Sequence, residues 1–286
     1  MLARLVAFSP APLIYEVLDI PPILMRRGLV SGLIRAIERL CLRHTRMLVL
    51  SSPGFHRNFY DAIQGYRGEW FLLENKLHPS ISRRAAPPTR GDRRRPWVVG
   101  YFGLIRGEAT FDLITRLAER LRGKVLFKFR GVLTTVGRSR FDAALRRRPN
   151  IVYGGSYLPY RDLESLYRDV DFAWAIDLEH ADHNSRWLLP CRFYEAGYFG
   201  VPCLAVRGFE VGTLLERHHI GWTFDAPLEE TLMRFFNNLR TEDYERIRGR
   251  LGAMPPDAFV AGGEVAHLSE MIGRKGDRLS EGPTGG

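Results

Sequence analysis

The strongest constraint on the fold is an alternation of short apolar runs and amphipathic stretches over residues 97–224. Six runs have the length and the aromatic or β-branched character of strands buried on both faces. The stretches between them carry apolar residues at helical spacing. Sequential strand–helix units predict a parallel sheet covered by helices on both faces, which is a doubly wound α/β domain. The predicted strands are Trp97–Phe102, Val125–Phe129, Ile151–Tyr153, Phe172–Ile176, Pro202–Val206 and Trp222–Phe224.

A shorter α/β pattern precedes this domain. Residues 13–19 form a candidate strand that ends in a carboxylate, and residues 47–50 and 70–73 form two more. Since sheets usually hold about four to six strands, these are few for an independent sheet. Prolines and arginines dominate residues 79–96, as is typical of a linker. The sequence therefore predicts three parts: a partial N-terminal α/β domain with a basic linker (1–94), a complete domain (95–273) and a disordered polar tail (274–286).

The charge balance is strongly basic, with 42 Lys and Arg against 32 Asp and Glu and a net charge of +10. Such an excess favours an anionic partner, which could be nucleic acid, a membrane surface or a phosphorylated small molecule. The runs Arg93–Arg95 and Arg146–Arg148 suggest nucleic acid, but no nucleic-acid-binding motif accompanies them. We therefore expect no nucleic-acid partner.

An arginine-rich stretch near the N-terminus could form a basic face toward an anionic membrane, with Met25 and Leu29 beside it. The alternative is a solvated basic helix. The three scattered cysteines suggest a reducing, cytoplasmic setting, and the N-terminus has no signal-peptide pattern. We expect a cytoplasmic protein, with peripheral attachment to the membrane face as an option. The arginines of this stretch are Arg26, Arg27, Arg35, Arg39, Arg43 and Arg46.

Ligands of open parallel sheets bind at the carboxyl ends of the strands, so the segments after each strand are the candidate site. After the first strand, Gly103 would let a ligand approach the backbone, and Arg106 could pair with a phosphate. A simple turn with a surface arginine would give the same pattern. Arg130 ends the next strand and either faces the same cleft or is solvated.

The segment 177–185 contains two histidines and three acidic residues, but their spacing matches no zinc or calcium pattern. We interpret it as a polar loop lining a cleft, with Asn184 and Ser185 as contacts, and expect no metal. A helix then follows Pro190, with Arg192 and Glu195 three residues apart on one face. Glu195 lies among apolar residues, which indicates a specific partner, although a surface ion pair with Arg192 is the alternative.

The stretch from Pro190 to Pro202 resembles the P-x-R/K-x-x-E-x-x-x-x-G-x-P signature of GT-B glycosyltransferases. It is most similar to the exopolysaccharide (succinoglycan-type) branch related to glycosyltransferase family 4. The resemblance covers about residues 10–250. Weaker matches are Leu73–Lys76, Gly100–Gly103 with Arg106, Phe129–Gly131 and the stretch from Asp162 to Tyr167.

This resemblance implies two Rossmann-like domains and a retaining, metal-independent transferase that uses a nucleotide sugar such as a UDP- or GDP-sugar. It also implies that Glu195 binds the donor ribose, while Arg106 and Arg130 stabilise the diphosphate. The Asn184–Ser185 segment would contact the sugar or the phosphates. One departure is Trp187, which stands where the family carries a second glutamate, eight residues before Glu195.

On the acceptor side, Asp19 matches a position where the family often has an acidic residue or a histidine. Its alternative role is that of a helix cap or a loop carboxylate, and Glu16 is the second candidate for the catalytic position. The expected acceptor is a saccharide or a lipid-linked oligosaccharide. The alternative function is a non-catalytic nucleotide-binding remnant, or one subunit of a split glycosyltransferase.

Overall fold

A computed structural model describes residues 13–81 and 96–280 of the chain. Most of the predicted basic linker lies outside these residues, as does the end of the predicted tail, residues 281–286. The chain forms two compact units. The first comprises the residues up to Glu74 together with those from Val260 onward, and the second comprises Asn75–Phe259.

The second unit is the doubly wound domain that the strand–helix alternation predicts. In the described part of the chain its sheet has six parallel strands. They are β4 (Trp97–Ile105), β5 (Val125–Leu133), β6 (Ile151–Tyr153), β7 (Phe172–Trp174), β8 (Cys203–Val206) and β9 (Gly221–Phe224). The helices of this unit are α4 (Glu108–Arg120), α5 (Arg138–Arg147), α6 (Leu163–Arg168), α7 (Asn184–Trp187), α8 (Cys191–Tyr198), α9 (Glu210–His218), α10 (Leu228–Asn238) and α11 (Thr241–Gly252), followed by a 3₁₀ turn at Pro256–Ala258.

Aromatic packing against the sheet fixes the core of the second unit. Phe172 on β7 is fully buried and meets five aromatic rings from neighbouring elements. Burial of a phenylalanine side chain contributes about 1.5–3 kcal/mol, and the edge-to-face contacts add to that. The rings around Phe172 are those of Trp97, Trp222, Phe235, Phe236 and Tyr244.

The strand order locates the crevice of this sheet. The order β6-β5-β4-β7-β8-β9 runs outward in both directions from β4 and β7, as in doubly wound nucleotide-binding folds. The helices that follow β4 and β7 leave on opposite faces at such a switch point, which opens a crevice at the carboxyl ends of these two strands. The site residues should therefore converge there.

Strands β4 and β5 are longer than predicted, because their pairing continues to Ile105 and Leu133. Gly103 is consequently part of a strand, not of the turn that the sequence predicts. It pairs with Gly131, and a Cβ atom on Gly131 would lie 1.8 Å from the carbonyl oxygen of Gly103. The two backbones approach this closely only because Gly131 has no side chain.

The first unit has a three-stranded parallel sheet in its described residues, in the order β1-β2-β3. Ser52 caps the helix that follows β2 and accepts a hydrogen bond from the Gly54 N–H at 3.2 Å. The elements are β1 (Leu13–Val17), α1 (Pro22–Met25), α2 (Leu29–Leu42), β2 (Thr45–Leu50), α3 (Pro53–Phe55), a π-helix (His56–Asp61), β3 (Glu69–Leu72) and α12 (Glu264–Ser280).

The unit boundaries differ from the predicted domain boundaries. Helix α12 belongs to the first unit, because Arg46 Nη2 donates to the Met271 carbonyl at 3.5 Å and the rings of Phe71 and His267 lie 5.9 Å apart. The residues from Val260 to 273 are therefore not part of the second domain. The helix also extends through Ser280, into the segment for which we predict disorder.

A buried carboxyl group joins α2 to its neighbours in the first unit. Glu38 is 7 % exposed and accepts hydrogen bonds from the hydroxyls of Tyr15 and Tyr60, and its other oxygen accepts one from the Gln64 amide. Burial raises the pKa of Glu38, although these hydrogen bonds partly oppose the shift. Gln64 Oε1 is buried and accepts no hydrogen bond within the described residues.

Replacing Glu38 with glutamine is expected to remove a pH dependence of stability. Because the pKa of Glu38 is raised in the folded state, its contribution to stability is full below about pH 4.5 and is lost as the pH rises through the folded-state pKa. The wild-type free energy of unfolding should fall over that range by at most about 1.4 kcal/mol per pH unit from this group, and the variant should lack that fall. Denaturant titrations at several pH values measure it.

The exposed Glu119, whose side chain is 70 % accessible, provides the control. Glu119→Gln should leave the pH dependence of the wild type unchanged. If the free energy of unfolding has the same pH dependence in Glu38→Gln as in the wild type, the raised pKa does not belong to Glu38. The variant should still fold, since a turned Gln64 amide can offer Oε1 to the new side chain.

Within residues 13–81 and 96–280, none of the helices has both the length and the apolar character that a membrane-spanning segment needs.

Candidate functional site

Residues from distant parts of the second unit meet at the carboxyl ends of β4 and β7, as the strand order requires. Gly103 lies at this edge with a φ of +105°, a conformation that strongly favours glycine. A Cβ atom at Gly103 would lie 3.8 Å from Arg192 Nη2 and 4.0 Å from the Tyr157 hydroxyl. The glycine therefore leaves its backbone accessible beside a cation and a phenol.

Arg192 extends from the first turn of α8, which starts directly after Pro190. Its Nη1 donates to the Trp174 carbonyl at the end of β7, at 3.3 Å. The guanidinium lies 4.6 Å from the centroid of the Tyr101 ring. Neither contact is with a charged group, but Asp177 and Glu195 interact electrostatically with the guanidinium.

Glu195 lies one turn further along α8. The Tyr167 hydroxyl donates to Glu195 Oε2 at 2.8 Å. Burial raises the pKa of Glu195, while the Tyr167 hydrogen bond and the charge of Arg192 partly oppose that shift. Tyr157 is close to the same carboxylate, and burial together with Glu195 raises the pKa of Tyr157 to about 12. Glu195 therefore has the specific partner that its apolar surroundings indicate, and that partner is a tyrosine.

Arg106 is held by carboxylates. Its Nε and Nη2 donate to Asp177 Oδ2 at 3.0 and 2.8 Å, and Nε also lies 3.3 Å from Glu179 Oε2. Burial alone would raise the pKa of Asp177, but Arg106 and the Glu179 N–H outweigh burial and hold that pKa below its usual value. The two carboxylates largely compensate the positive charge of Arg106.

Arg130 is half-buried on β5 and donates to two backbone carbonyls, Gly155 at 3.1 Å and Ser156 at 2.9 Å. These contacts hold the side chain over the segment after β6. Both acceptors are neutral, and the charge of Arg130 partly opposes the rise in the pKa of Tyr157. The prediction that Arg130 faces the cleft is compatible with this position.

Asn184 and Ser185 start the short helix α7, where the sequence predicts a loop, and both are buried. Ser185 Oγ accepts a hydrogen bond from the His180 N–H at 3.1 Å, so the hydroxyl stabilises the turn of its own segment. His183 Nδ1 lies 3.0 Å from Asp182 Oδ1. Among the described residues, no group of three or more His, Cys, Asp or Glu side chains is arranged to hold a metal ion.

The predicted acceptor-side residues belong to the first unit. Glu16 lies within β1 and Asp19 lies just after it, and both are exposed. Their role stays a prediction.

Sequence reasoning assigned no role to four residues of this site: Tyr101, Tyr157, Tyr167 and Asp177. Two of them could have been found by searching the carboxyl ends of the strands, because Tyr101 lies in β4 and Asp177 follows β7. The contact between Tyr167 and Glu195 joins residues 28 positions apart, and no sequence pattern predicts it.

No protein-family model matches the chain. The chain is 30% identical over 263 residues to the succinoglycan biosynthesis protein ExoL of Rhizobium meliloti. The match covers 90% of the chain but only 65% of the relative. The resemblance to the succinoglycan type is thereby confirmed, and the chain spans about two thirds of the length of that relative.

The fold is similar to that of solved glycosyltransferases. Anabaena HepE in complex with UDP has a TM-score of 0.71 and 14% identity, over 96% of this chain and 74% of HepE. Sucrose-phosphate synthase from Thermosynechococcus elongatus has a TM-score of 0.68 and 11% identity, over 96% of this chain and 71% of the synthase. The chain therefore has the α/β fold of the GT-B glycosyltransferases, together with a sequence relative in succinoglycan biosynthesis.

Proposed function

We propose that this chain is a metal-independent, retaining glycosyltransferase of the family 4 type. It transfers a sugar from a UDP- or GDP-sugar to a growing, lipid-linked polysaccharide at the cytoplasmic face of a membrane. The observation that carries the proposal is the Arg192 guanidinium beside Gly103, with Glu195 one turn away, at the switch point of the sheet. The relative in succinoglycan biosynthesis and the UDP bound to HepE support it.

The diphosphate of the donor would lie over Gly103. Its backbone is accessible, and Arg192 is close enough to bond a phosphate oxygen there. Departure of a nucleoside diphosphate builds negative charge, and a fixed guanidinium stabilises that charge without reorganising. Arg130 adds a second positive charge from β5.

Glu195 would bind the ribose of the donor. Tyr167 occupies Oε2 and fixes the orientation of the carboxylate. An ionised carboxylate can accept several hydrogen bonds, so Glu195 can also accept bonds from ribose hydroxyls. Asn184 and Ser185 then act by shaping the segment that borders the crevice, and Asp19 and Glu16 stay candidates for the acceptor side.

The test is a thermal-shift titration of the chain with UDP, GDP and their glucose conjugates. A nucleotide present at 100 times its Kd should stabilise the folded state by about 2.7 kcal/mol, which raises the melting temperature by several degrees. Release of the nucleoside diphosphate in the presence of a lipid-linked saccharide acceptor then measures transfer. The absence of a shift with all of these nucleotides would refute the proposal, and binding without transfer would favour the non-catalytic alternative.

A further inference from the structure

A groove lies between helices α10 and α11, which both pack against β9. We call it the α10–α11 groove. Its volume is about 560 Å³, which is within the range of small-molecule sites. Its lining combines polar and charged side chains with an apolar part, and such a combination is typical of binding sites. The apolar part consists of Trp222, Phe235, Leu239 and Ile247.

The α10–α11 groove is separate from the crevice at the carboxyl ends of β4 and β7. Strand β9 is three positions from β4 in the sheet, which is about 14 Å at 4.8 Å per strand. The Trp222 ring contacts Phe172, the first residue of β7. The hydroxyl of Tyr244 on α11 donates to the carbonyl of Asp171, just before β7, at 3.0 Å. The groove therefore lies toward the amino ends of the strands.

Trp222 gives the groove an aromatic surface. The residue is half-buried, and its ring is nearly parallel to the Tyr244 ring, with the two centroids 6.4 Å apart. The Phe235 ring is tilted against it at a centroid distance of 5.3 Å. These contacts fix the orientation of the indole, which then offers a flat apolar surface. The C–H face of a sugar ring packs against a surface of this kind.

The charged side chains of the groove carry an excess of positive charge. Asp243 Oδ1 lies 2.7 Å from Arg246 Nη2, and its Oδ2 lies 2.8 Å from Arg240 Nε, so two arginines share one carboxylate. Within the part of the chain that the structure describes, the Arg234 guanidinium forms no ion pair or hydrogen bond. A guanidinium binds a carboxylate through two parallel hydrogen bonds. Arg234 is therefore available to an anionic ligand.

We propose that the α10–α11 groove binds an acidic saccharide. Asn238 Nδ2 donates to the Arg234 carbonyl at 2.9 Å, and the amide oxygen of Asn238 can accept a bond from a sugar hydroxyl. A ligand with an apolar ring face, hydroxyls and a carboxylate matches Trp222, Asn238 and Arg234, whereas an acyl chain would leave the polar side chains without partners. The inference rests on the proposed function only for the source of the saccharide, which is an earlier-added part of the growing polysaccharide.

The test is a titration of the full chain with trigalacturonate and with maltotriose, which also has three sugar rings but no carboxylate. Tryptophan fluorescence and ligand-observed NMR measure binding. We expect trigalacturonate to bind more tightly than maltotriose, and its binding to weaken as salt is raised. Arg234→Ala should weaken trigalacturonate binding about tenfold, because it removes a charge-assisted interaction. Trp222→Phe keeps an aromatic ring in the core and should remove the fluorescence change.

Arg146→Ala is the matched control, because this arginine of α5 is also exposed. Neither this variant nor saturating UDP should change trigalacturonate binding, since the groove is apart from the crevice. The inference is overturned if trigalacturonate does not bind, if Arg234→Ala binds it as tightly as the wild type, or if UDP displaces it. If Arg234→Ala instead dissociates a dimer in solution, a second copy covers the groove and the saccharide assignment is wrong.

The two proposals fail separately in this experiment. A chain that binds UDP but not trigalacturonate keeps the proposed donor site and loses the saccharide site. Binding of trigalacturonate without any binding of UDP or GDP would support the saccharide site and refute the donor site.

Discussion

Replacing Glu195 with alanine is expected to weaken binding of the nucleotide-sugar donor about 100-fold. A hydrogen bond to a charged acceptor contributes about 1.5–3 kcal/mol, so loss of the bonds to both ribose hydroxyls accounts for a change of this size. The substitution also leaves the buried Tyr167 hydroxyl without its 2.8 Å acceptor, which should lower the free energy of unfolding by about 1–3 kcal/mol. Titration calorimetry with the donor nucleotide and denaturant unfolding measure the two effects.

Tyr167→Phe separates binding from stability. In the double variant Glu195→Ala with Tyr167→Phe, neither partner of the bond remains, so the stability cost of the unpaired hydroxyl should be relieved while the donor affinity stays low. Tyr167→Phe alone should lower affinity less than Glu195→Ala, because the carboxylate is still present. The exposed Glu119→Ala should change neither quantity.

Because the pKa of Glu195 is raised, donor affinity should depend on pH. Only the ionised carboxylate accepts bonds on both oxygens, so donor affinity should increase as the pH rises through this pKa and then level off. Glu195→Gln should remove that rise. If Glu195→Ala binds the nucleotide as tightly as the wild type and loses only stability, Glu195 is a structural partner of Tyr167 and the ribose assignment is wrong.

The strands of the second unit could be predicted because residues buried on both faces leave continuous apolar runs in the sequence. The structure brings Gly103, Arg192 and Glu195 together at one edge. The strand-end rule identified Gly103, whereas the helix after Pro190 and its family signature identified the other two. Neither signal could predict that Asp177 compensates the positive charge of Arg106. That pairing joins residues 71 positions apart and depends on how two loops approach each other.

Helix α2 shows a different limit. Its apolar residues recur at helical spacing, but spacing alone does not say which face is buried. The period of Leu29, Leu33, Ile37 and Leu40 would ordinarily be taken as a core face, whereas the structure buries Glu38 on the opposite side. The bonds from Tyr15 and Tyr60 satisfy that carboxyl group, and no local pattern in the sequence encodes them.

The break between helices α10 and α11 could not be predicted from the local sequence either. Residues 228–251 have one continuous helical pattern, but the chain forms α10 and α11 with a break at Leu239 and Arg240. At Arg240 the side chain turns to pair with Asp243 in the first turn of α11, at 2.8 Å. The carboxylate near the amino end of α11 favours a new helix start at this point.

The two site arginines are expected to respond differently to substitution. Arg106→Ala should lower the free energy of unfolding by about 3 kcal/mol, because it leaves Asp177 buried without its partner cation. Arg192→Met should instead weaken nucleotide diphosphate binding about 10- to 100-fold, because it removes one charge-assisted bond but keeps an apolar stem over Tyr101. Denaturant unfolding of both variants measures the loss of stability, and titration calorimetry measures the loss of nucleotide affinity.

The double variant Arg106→Ala with Asp177→Asn tests the cause of the first effect. With the carboxylate neutralised, most of the stability that Arg106→Ala loses should return, since the cost arises from an uncompensated buried charge. The pair should also make stability depend on pH in the acid range. Because the pKa of Asp177 is lowered in the folded state, the pair stabilises the fold above about pH 3.8, and this contribution is lost as the pH falls through the folded-state pKa. If Arg106→Ala keeps wild-type stability and loses nucleotide binding as strongly as Arg192→Met, then Arg106 leaves its carboxylates to bind the diphosphate.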